Sequence, residues 1–321
     1  MSVLITGGAG YVGGAVVGHL VEQGEAVVVV DNLSRTRDSG LPAGIPFYQA
    51  DVGDRDAIAT IVRDHEVDAC LHFAGLIAVG ESVEQPGLYF EQNVSQSIAL
   101  LDTLATHGVS KLVFSSSAAV YGEPHQIPIP EDHPHQPTSP YGSTKAIVEQ
   151  ILNQYDLTGM IRSVSLRYFN AAGAVPGRPE RHIPETHLIP LAIDAALALR
   201  DPLTVFGTDY DTPDGTAVRD YIHLVDLADA HLRALNYLRG DGETEVFNLG
   251  NGEGYSVMQV IESVSRVAER EVPFVLGARR PGDPPVLVAS AERARELLGW
   301  VPQHPELDDI VSSAWASRTP A

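Results

Sequence analysis

The amino-acid sequence predicts an α/β chain, a doubly wound parallel sheet followed by a smaller C-terminal lobe. Three observations predict it. Short apolar runs alternate with helix-like stretches through the first half, a glycine-rich turn joins the first run to the first helix, and beyond Asn170 the chain turns to prolines, glycines and short elements. Alternation of this kind places helices on both faces of a parallel sheet, whose doubly buried strands read as unbroken apolar segments.

The elements follow in order. Val3–Ile5, Ala26–Val30, Phe47–Ala50, Ala69–Phe73 and Lys111–Phe114 read as buried strands, with helical patterns at Val12–Gln23, Asp54–Asp64 and Pro86–His107 between them. The stretch Glu123–Pro140 holds three histidines and six prolines. His133 and His135 lack a further ligand at metal spacing, so the stretch reads as a rigid surface loop and no metal is expected. A helix opens near Tyr141, a strand follows at Ile161–Tyr168, and Val246–Leu249 either rejoins the main sheet or caps it. The expected division is residues 1–170 for the sheet domain and 171–321 mainly for the second lobe, with some segments returning to the sheet.

At 321 residues the chain can bury one large domain and a smaller lobe. Its 44% hydrophobic and 20% charged content is ordinary for a globular protein. A net charge of −21 repels polyanions, which argues against nucleic acid and anionic membranes as partners. No apolar run of transmembrane length and no secretory leader is read, and the single cysteine, Cys70, sits in an apolar strand and suits a reducing compartment. A cytoplasmic setting is therefore expected.

Strand Val3–Ile5 runs into Thr6-Gly7-Gly8-Ala9-Gly10-Tyr11-Val12-Gly13, which gives glycines at 7, 10 and 13 in a G-x-x-G-x-x-G spacing. Glycine permits a tight turn, close approach of backbone to a pyrophosphate and close helix–strand packing, and the helix N-terminus offers free amides to phosphate. The next strand ends at Asp31, placed to accept hydrogen bonds from ribose hydroxyls and to repel a 2′-phosphate. The pattern is that of a Rossmann-type dinucleotide site and favours NAD, while Arg35 and Arg37 leave NADP open.

A second constellation falls in chain order: Ser115-Ser116-Ser117 at a strand end, then Tyr141-Gly142-Ser143-Thr144-Lys145 opening a helix. Residues four apart share a helix face, so Tyr141 and Lys145 can enter one cleft. Free tyrosine has a pKa of about 10, and a nearby cation would stabilise its phenolate enough for acid–base work. Ser117 can pass a proton to or from a substrate oxygen.

With these residues in place, the sequence resembles the extended short-chain dehydrogenases/reductases, and most specifically their UDP-glucose 4-epimerase branch. The finer runs are Asp31-Asn32-Leu33, His72–Leu76, Val79-Gly80-Glu81-Ser82, Val120-Tyr121-Gly122, Arg167-Tyr168-Phe169-Asn170, Val218–His223, Asp226–Asp229, Phe247–Gly250 and Arg279–Asp283, spread over nearly the whole chain. The resemblance implies an NAD site lined by Tyr11, Val12, Asp31, Asn32, Leu33, Ser34, Asp51, Val52, Phe73, Ala74, Gly75, Asn93, Ser115, Lys145 and Tyr168. It implies a UDP-sugar held by Asn170, His187, Leu188, Thr204, Val205, Phe206, Arg219, Arg280 and Asp283 beside Ser117 and Tyr141, with Leu287 walling the sugar pocket. It implies reversible oxidation at the sugar C4 and a homodimer paired through two long helices, Pro86–His107 and Tyr141–Tyr155.

Ile77 departs from the pattern, since many members carry lysine there and use it to hold the cofactor. At 187 some members carry asparagine, which hydrogen-bonds as histidine does. Sugars bearing a 2-acetamido group and UDP-pentoses remain open as substrates. A 4,6-dehydratase needs acid–base groups where Ala118 and Ala119 stand, and a decarboxylase needs a nearby glutamate. A non-catalytic NAD-sensing protein would have no use for both Tyr141 and Lys145.

Overall fold

A computed structural model of the chain describes residues 1–36, 38–176, 185–280 and 283–319. The first half runs β1 (Ser2–Thr6), α1 (Tyr11–Glu22), β2 (Val27–Asp31), β3 (Phe47–Gln49), α2 (Arg55–Asp64), β4 (Val67–His72), α3 (Val79–Glu84) and α4 (Pro86–Phe90). A π-helical turn (Glu91–Ser95) leads into α5 (Gln96–Thr106), then β5 (Lys111–Ser117), α6 (Pro140–Leu157) and β6 (Arg162–Tyr168). There follow β7 (Asn170–Ala172), α7 (Leu188–Ala196), β8 (Leu203–Phe206), β9 (Val218–Arg219), β10 (Tyr221–His223), α8 (Leu224–Arg239) and β11 (Glu245–Leu249). The chain closes with β12 (Tyr255–Ser256), α9 (Val257–Ala268), β13 (Phe274–Gly277), β14 (Val286–Leu287), α10 (Glu292–Leu298) and α11 (Leu307–Arg318).

Seven strands form one parallel sheet in the order β11-β6-β5-β4-β1-β2-β3, a Rossmann-type arrangement. Successive side chains of a strand point to opposite faces, and the core divides accordingly. Val3, Ile5, Val27, Val29 and Leu71 meet Val16, Val17 and Leu20 of α1 and Leu227 and Leu235 of α8. Leu4, Val28, Val30 and Cys70 meet Ile58 and Ile61 of α2, Leu100 and Leu104 of α5, and Val148 and Leu152 of α6. Of the two placements open for the segment ending at Leu249, the structure takes the first: β11 pairs with β6 as the sheet's last strand.

The rest of the C-terminal half builds three small sheets, β10-β7, β12-β9-β14 and β13-β8, over a core shared by α7, α9 and α11.

Two expectations change. The stretch Pro86–His107 is not one regular helix: its middle winds into the π turn, which holds Asn93. The Asn93 amide there accepts from Leu76 N at 2.8 Å and donates to Leu76 O at 3.0 Å and Thr144 Oγ1 at 3.1 Å. Those three bonds fix where the side chain must point, and the wide turn lets it. The stretch Glu123–Pro140 is not simply a surface loop, for Ile129 and His133 are buried. Ile129 exchanges backbone hydrogen bonds with Val288 and Ser290, both at 2.9 Å, so the segment satisfies its own backbone by lying against the second lobe. Among the described residues no group of three or more His, Cys, Asp or Glu could hold a metal.

Candidate active site

β1 delivers the chain into the glycine turn. Gly7 has φ +70°, and a Cβ there would lie 2.6 Å from Ala74 N, so the turn can form only without a side chain. A Cβ on Gly13 would meet Gly7 O at 2.4 Å, which lets α1 start against the turn itself. Gly10 caps α1 without a side chain, leaving its positive dipole end open to an anion.

A chain of hydrogen bonds pins this turn to its neighbours. Ser97 Oγ donates to Asn93 O at 2.6 Å, so its oxygen accepts from His72 Nε2 at 2.9 Å. His72 Nδ1 then accepts from Thr6 Oγ1 at 2.7 Å, and Thr6 in turn accepts from Ala74 N at 3.3 Å. Burial drives His72 down to about 3, helped by Lys145, so the ring stays neutral and keeps this one tautomer. Neither His72 nor Ser97 was singled out from the sequence. The His72-Phe73-Ala74-Gly75 run contained the signal, without its reason.

Asp31 ends β2 with both carboxylate oxygens in use, accepting from Ala9 N at 3.0 Å and Leu33 N at 2.9 Å. Burial raises its pKa against these two bonds. A carboxylate has about four acceptor positions, so two ribose hydroxyls can still be received. Leu33 turns the chain at φ +58°, and Asn32 Nδ2 donates to Asp51 Oδ1 at 2.6 Å, linking the ends of β2 and β3. Arg35, one reason to keep NADP open, is paired with Glu81 at 2.7 Å. Arg37, the other, lies outside the described residues.

α6 begins where it does because Ser139 accepts from Gly142 N at 3.1 Å and Pro140 occupies the first turn. This start directs Tyr141 and Lys145, both buried, to the end of β5. Lys145 Nζ donates to Ser115 O at 2.8 Å and lies 5.8 Å from the centre of the Tyr141 ring. Burial pushes Lys145 down to about 8, with Glu149 opposing. Burial raises the Tyr141 phenol, opposed by its hydrogen bond with Ser117. In the chain alone burial therefore favours the protonated phenol.

Beneath this face lies a charged network that sequence reasoning did not identify as a unit. Arg167 donates to Glu149 at 2.6 Å and to Tyr121 at 2.8 Å, and Glu149 also accepts from Ser116. It fastens α6 to the ends of β5 and β6. The spacing Tyr141, Lys145, Glu149 on one helix face was its one visible sign.

The cleft over the strand ends is lined by Gly7, Gly10, Tyr11, Val12, Gly13, Asp31, Asn32, Ser34, Asp51, Val52, Phe73, Ala74, Gly75, Ser115, Ser117, Tyr141, Tyr168, Asn170 and His187, with Arg35, Thr36 and Ile77 at the same wall. Leu33, Asn93, Lys145 and Leu188 do not line it. Asn93 and Lys145 lie buried behind the wall, and Leu188 begins α7 after the His187 cap. Open glycine backbone, a helix N-terminus and a strand-end carboxylate together fit a dinucleotide.

The other candidates form a separate group among the described residues. Arg219 pairs with Asp283 and donates to Pro284 O at 2.8 Å. Arg280 stacks 4.2 Å over the Phe206 ring on β8, the strand that also carries Thr204 and Val205. Leu287 lies opposite Arg219 in register and packs on the cluster of Ala118 and Phe169, which joins this group to the neighbourhood of Ser117.

Known proteins share this sequence and fold. A UDP-glucose 4-epimerase of Azospirillum brasilense is 50% identical over 314 residues, 97% of this chain and 90% of that one. The crystal structure of UDP-glucose 4-epimerase from Brucella ovis in complex with NAD superposes with a TM-score of 0.95 at 42% identity, covering 98% of this chain and 97% of that one. UDP-glucose-4-epimerase from Stenotrophomonas maltophila, with bound NAD and formylated UDP-arabinopyranose, gives 0.94 at 41% identity, covering 99% and 98%. The profile of the NAD dependent epimerase/dehydratase family matches residues 3–250, and the chain belongs to that family.

Proposed function

We propose that this chain is an NAD-dependent UDP-sugar 4-epimerase, an isomerase interconverting UDP-glucose and UDP-galactose. The observation that carries the reading is Tyr141 and Ser117 on the wall of a dinucleotide cleft, with Lys145 buried behind Tyr141 and only Ala118 and Ala119 where a dehydratase would need acids.

NAD bound in this cleft would supply the acceptor and donor of hydride and a positively charged ring. Such a charge would offset the burial that raises the phenol, and Tyr141 is placed to take the sugar 4-hydroxyl proton, directly or through Ser117. Lys145 holds its ammonium against Ser115 O and presents a second positive charge to the same phenol. Inversion at C4 needs the oxidised sugar to turn over while the diphosphate stays fixed. Arg219 and Arg280 suit that anchoring, as guanidinium pairs with phosphate in two-pronged geometry.

Residues 171–321 then act mainly as the sugar-nucleotide lobe. A second reading, wider sugar scope, is favoured by Leu287, a side chain smaller than tyrosine and half-buried beside Phe169. Two copies are expected to pair through the helices around α5 and α6, where Val83, Leu88, Phe90 and Ile98 are exposed. No helix among the described residues is long and apolar enough to cross a membrane, and a cytoplasmic setting fits the free buried Cys70.

Turnover assays with UDP-galactose, UDP-N-acetylgalactosamine and UDP-arabinopyranose test the reading, together with release of NAD on denaturation. Near-stoichiometric NAD and turnover of UDP-galactose are expected; NADP in its place, or no epimerisation of any UDP-sugar, would overturn it. Light scattering at micromolar concentration checks the dimer, and a clean monomer mass would refute it.

A further inference from the structure

The wall of the cleft carries charge unevenly. Among the described residues that line it, Arg35 is the one arginine or lysine, set against Asp31 and Asp51, in a chain of net charge −21. A dinucleotide brings a diphosphate into this acidic surround, so the position of that cation matters.

Arg35 stands just past β2, and Glu81 stands on α3, after β4. Both strands pair with β1, one on each side. The segments leaving them are thus separated by two strand spacings, about 10 Å. Arg35 spans that gap, with Nη2 donating to the two Glu81 oxygens at 2.9 and 2.7 Å. Glu81 is steadied from behind by the hydroxyl of Tyr89, 2.8 Å away, on a buried ring of α4. The ion pair therefore crosses the end of β1, over the side from which the glycine turn is reached. At 27% and 24% side-chain exposure it is partly shielded from water. The adjoining Thr36 lines the same wall with a buried hydroxyl that has no hydrogen-bond partner among the described residues, as expected of a group that meets a bound ligand.

We propose that Arg35 and Glu81 form a clasp over the bound dinucleotide, which holds the cofactor in place and must open for it to leave. The Arg35 guanidinium contributes the positive charge that the diphosphate lacks elsewhere on this wall, and Glu81 keeps it stretched across the opening. Release is then slowed by a charge pair, and salt, which screens partly exposed charges, speeds it. The proposal rests on the reading that NAD is the resident cofactor.

The test follows NAD loss from the purified holoprotein over time, at low and high salt, for wild type, Arg35→Ala, Glu81→Gln and the double variant. Each single change is expected to speed release about two- to fivefold at low salt, the range of a partly shielded ion pair. The double variant should release no faster than the quicker single variant, and Arg35→Ala and the double variant should lose the wild type's salt dependence. Melting temperatures with NAD stripped should stay close to wild type, which separates a clasp from a structural tie. Unchanged or slower release from Glu81→Gln, or additive effects in the double variant, would overturn the clasp. Wild-type protein that carries no NAD would instead strike the cofactor reading itself.

Discussion

Under the cleft of the sheet domain, buried polar groups hold one another in fixed order: Ser97, His72, Thr6 and Ala74 form one chain at the glycine turn, and Arg167, Glu149 and Tyr121 another beneath α6. The sugar-nucleotide side is built from two-residue strands and partly exposed arginines, Arg219 held by Asp283 and Arg280 laid on Phe206. The first arrangement is rigid because moving any member would strand a buried donor or acceptor. In the second, an arginine can exchange its carboxylate or ring for a phosphate at little cost. An epimerase needs this contrast, with a cofactor that stays and a sugar that turns.

The largest expected effect breaks the rigid side alone. Tyr141→Phe should lower turnover by about 10²- to 10⁴-fold, the usual worth of a general acid–base group. NAD content and UDP affinity, read by denaturation assay and calorimetry, should stay near wild type. Retained activity would remove Tyr141 from the mechanism.

Arg219→Ala probes the adaptable side. Losing charged hydrogen bonds worth about 1.5–3 kcal/mol weakens UDP binding roughly 10- to 150-fold. Bound NAD should be unaffected, and parallel loss of both ligands would mean the two halves are not independent.

Leu287→Tyr sharpens the comparison within the sugar pocket. Overpacking costs about 1–3 kcal/mol, roughly 5- to 150-fold. The loss should fall on UDP-N-acetylgalactosamine turnover and spare UDP-galactose. Equal loss of both, or a wild type inactive on the acetylated sugar, would show that Leu287 is not the gate.

The smallest effect concerns pH and stability. Burial depresses His72 to about 3 and His223 and His231 to about 4, from an ordinary 6.5. The unfolded chain takes up these protons first, so the stability they contribute is present above 6.5 and is lost as pH falls toward 4. Asp220, raised by burial to about 6, acts oppositely, since the folded form holds its proton between about 6 and 3.8. Asp31, Glu131 and Asp226, also raised by burial, act in the same sense as Asp220, so the histidine contribution is isolated by difference. The urea midpoint of His231→Leu should fall less, or rise more, between pH 6.5 and 4 than that of wild type. Parallel pH profiles for the two proteins would remove His231 from the assignment.

The same contrast decides what could be read from the sequence. Gly7, Gly10, Gly13, Asp31, Ser117, Tyr141 and Lys145 sit at strand ends or one helix turn apart, where a local pattern carries the geometry. Arg219, Arg280 and Leu287 come together only through pairing of β9 with β14 and stacking on β8, which no local pattern encodes; they were reached through resemblance. The burial of Ile129 was missed for a related reason, since its partners Val288 and Ser290 are over 150 residues away. The π turn was missed because apolar spacing on either side of it still reads as helix.

That wide turn sets the length of the helix that contains it. Deleting one residue between Glu91 and Ser95 would restore ordinary α geometry and leave the helix on either side nearly in phase, because the wide turn is what absorbs the extra residue. Leu100, Leu101 and Leu104 would keep the core they fill, but Asn93 would lose the turn that aims it at Leu76 and Thr144. Substitutions at exposed Glu91 and Ser95 can accumulate, whereas a gain or loss of a single residue cannot. Among descendants of this sequence, the helix should vary in spelling and remain constant in count.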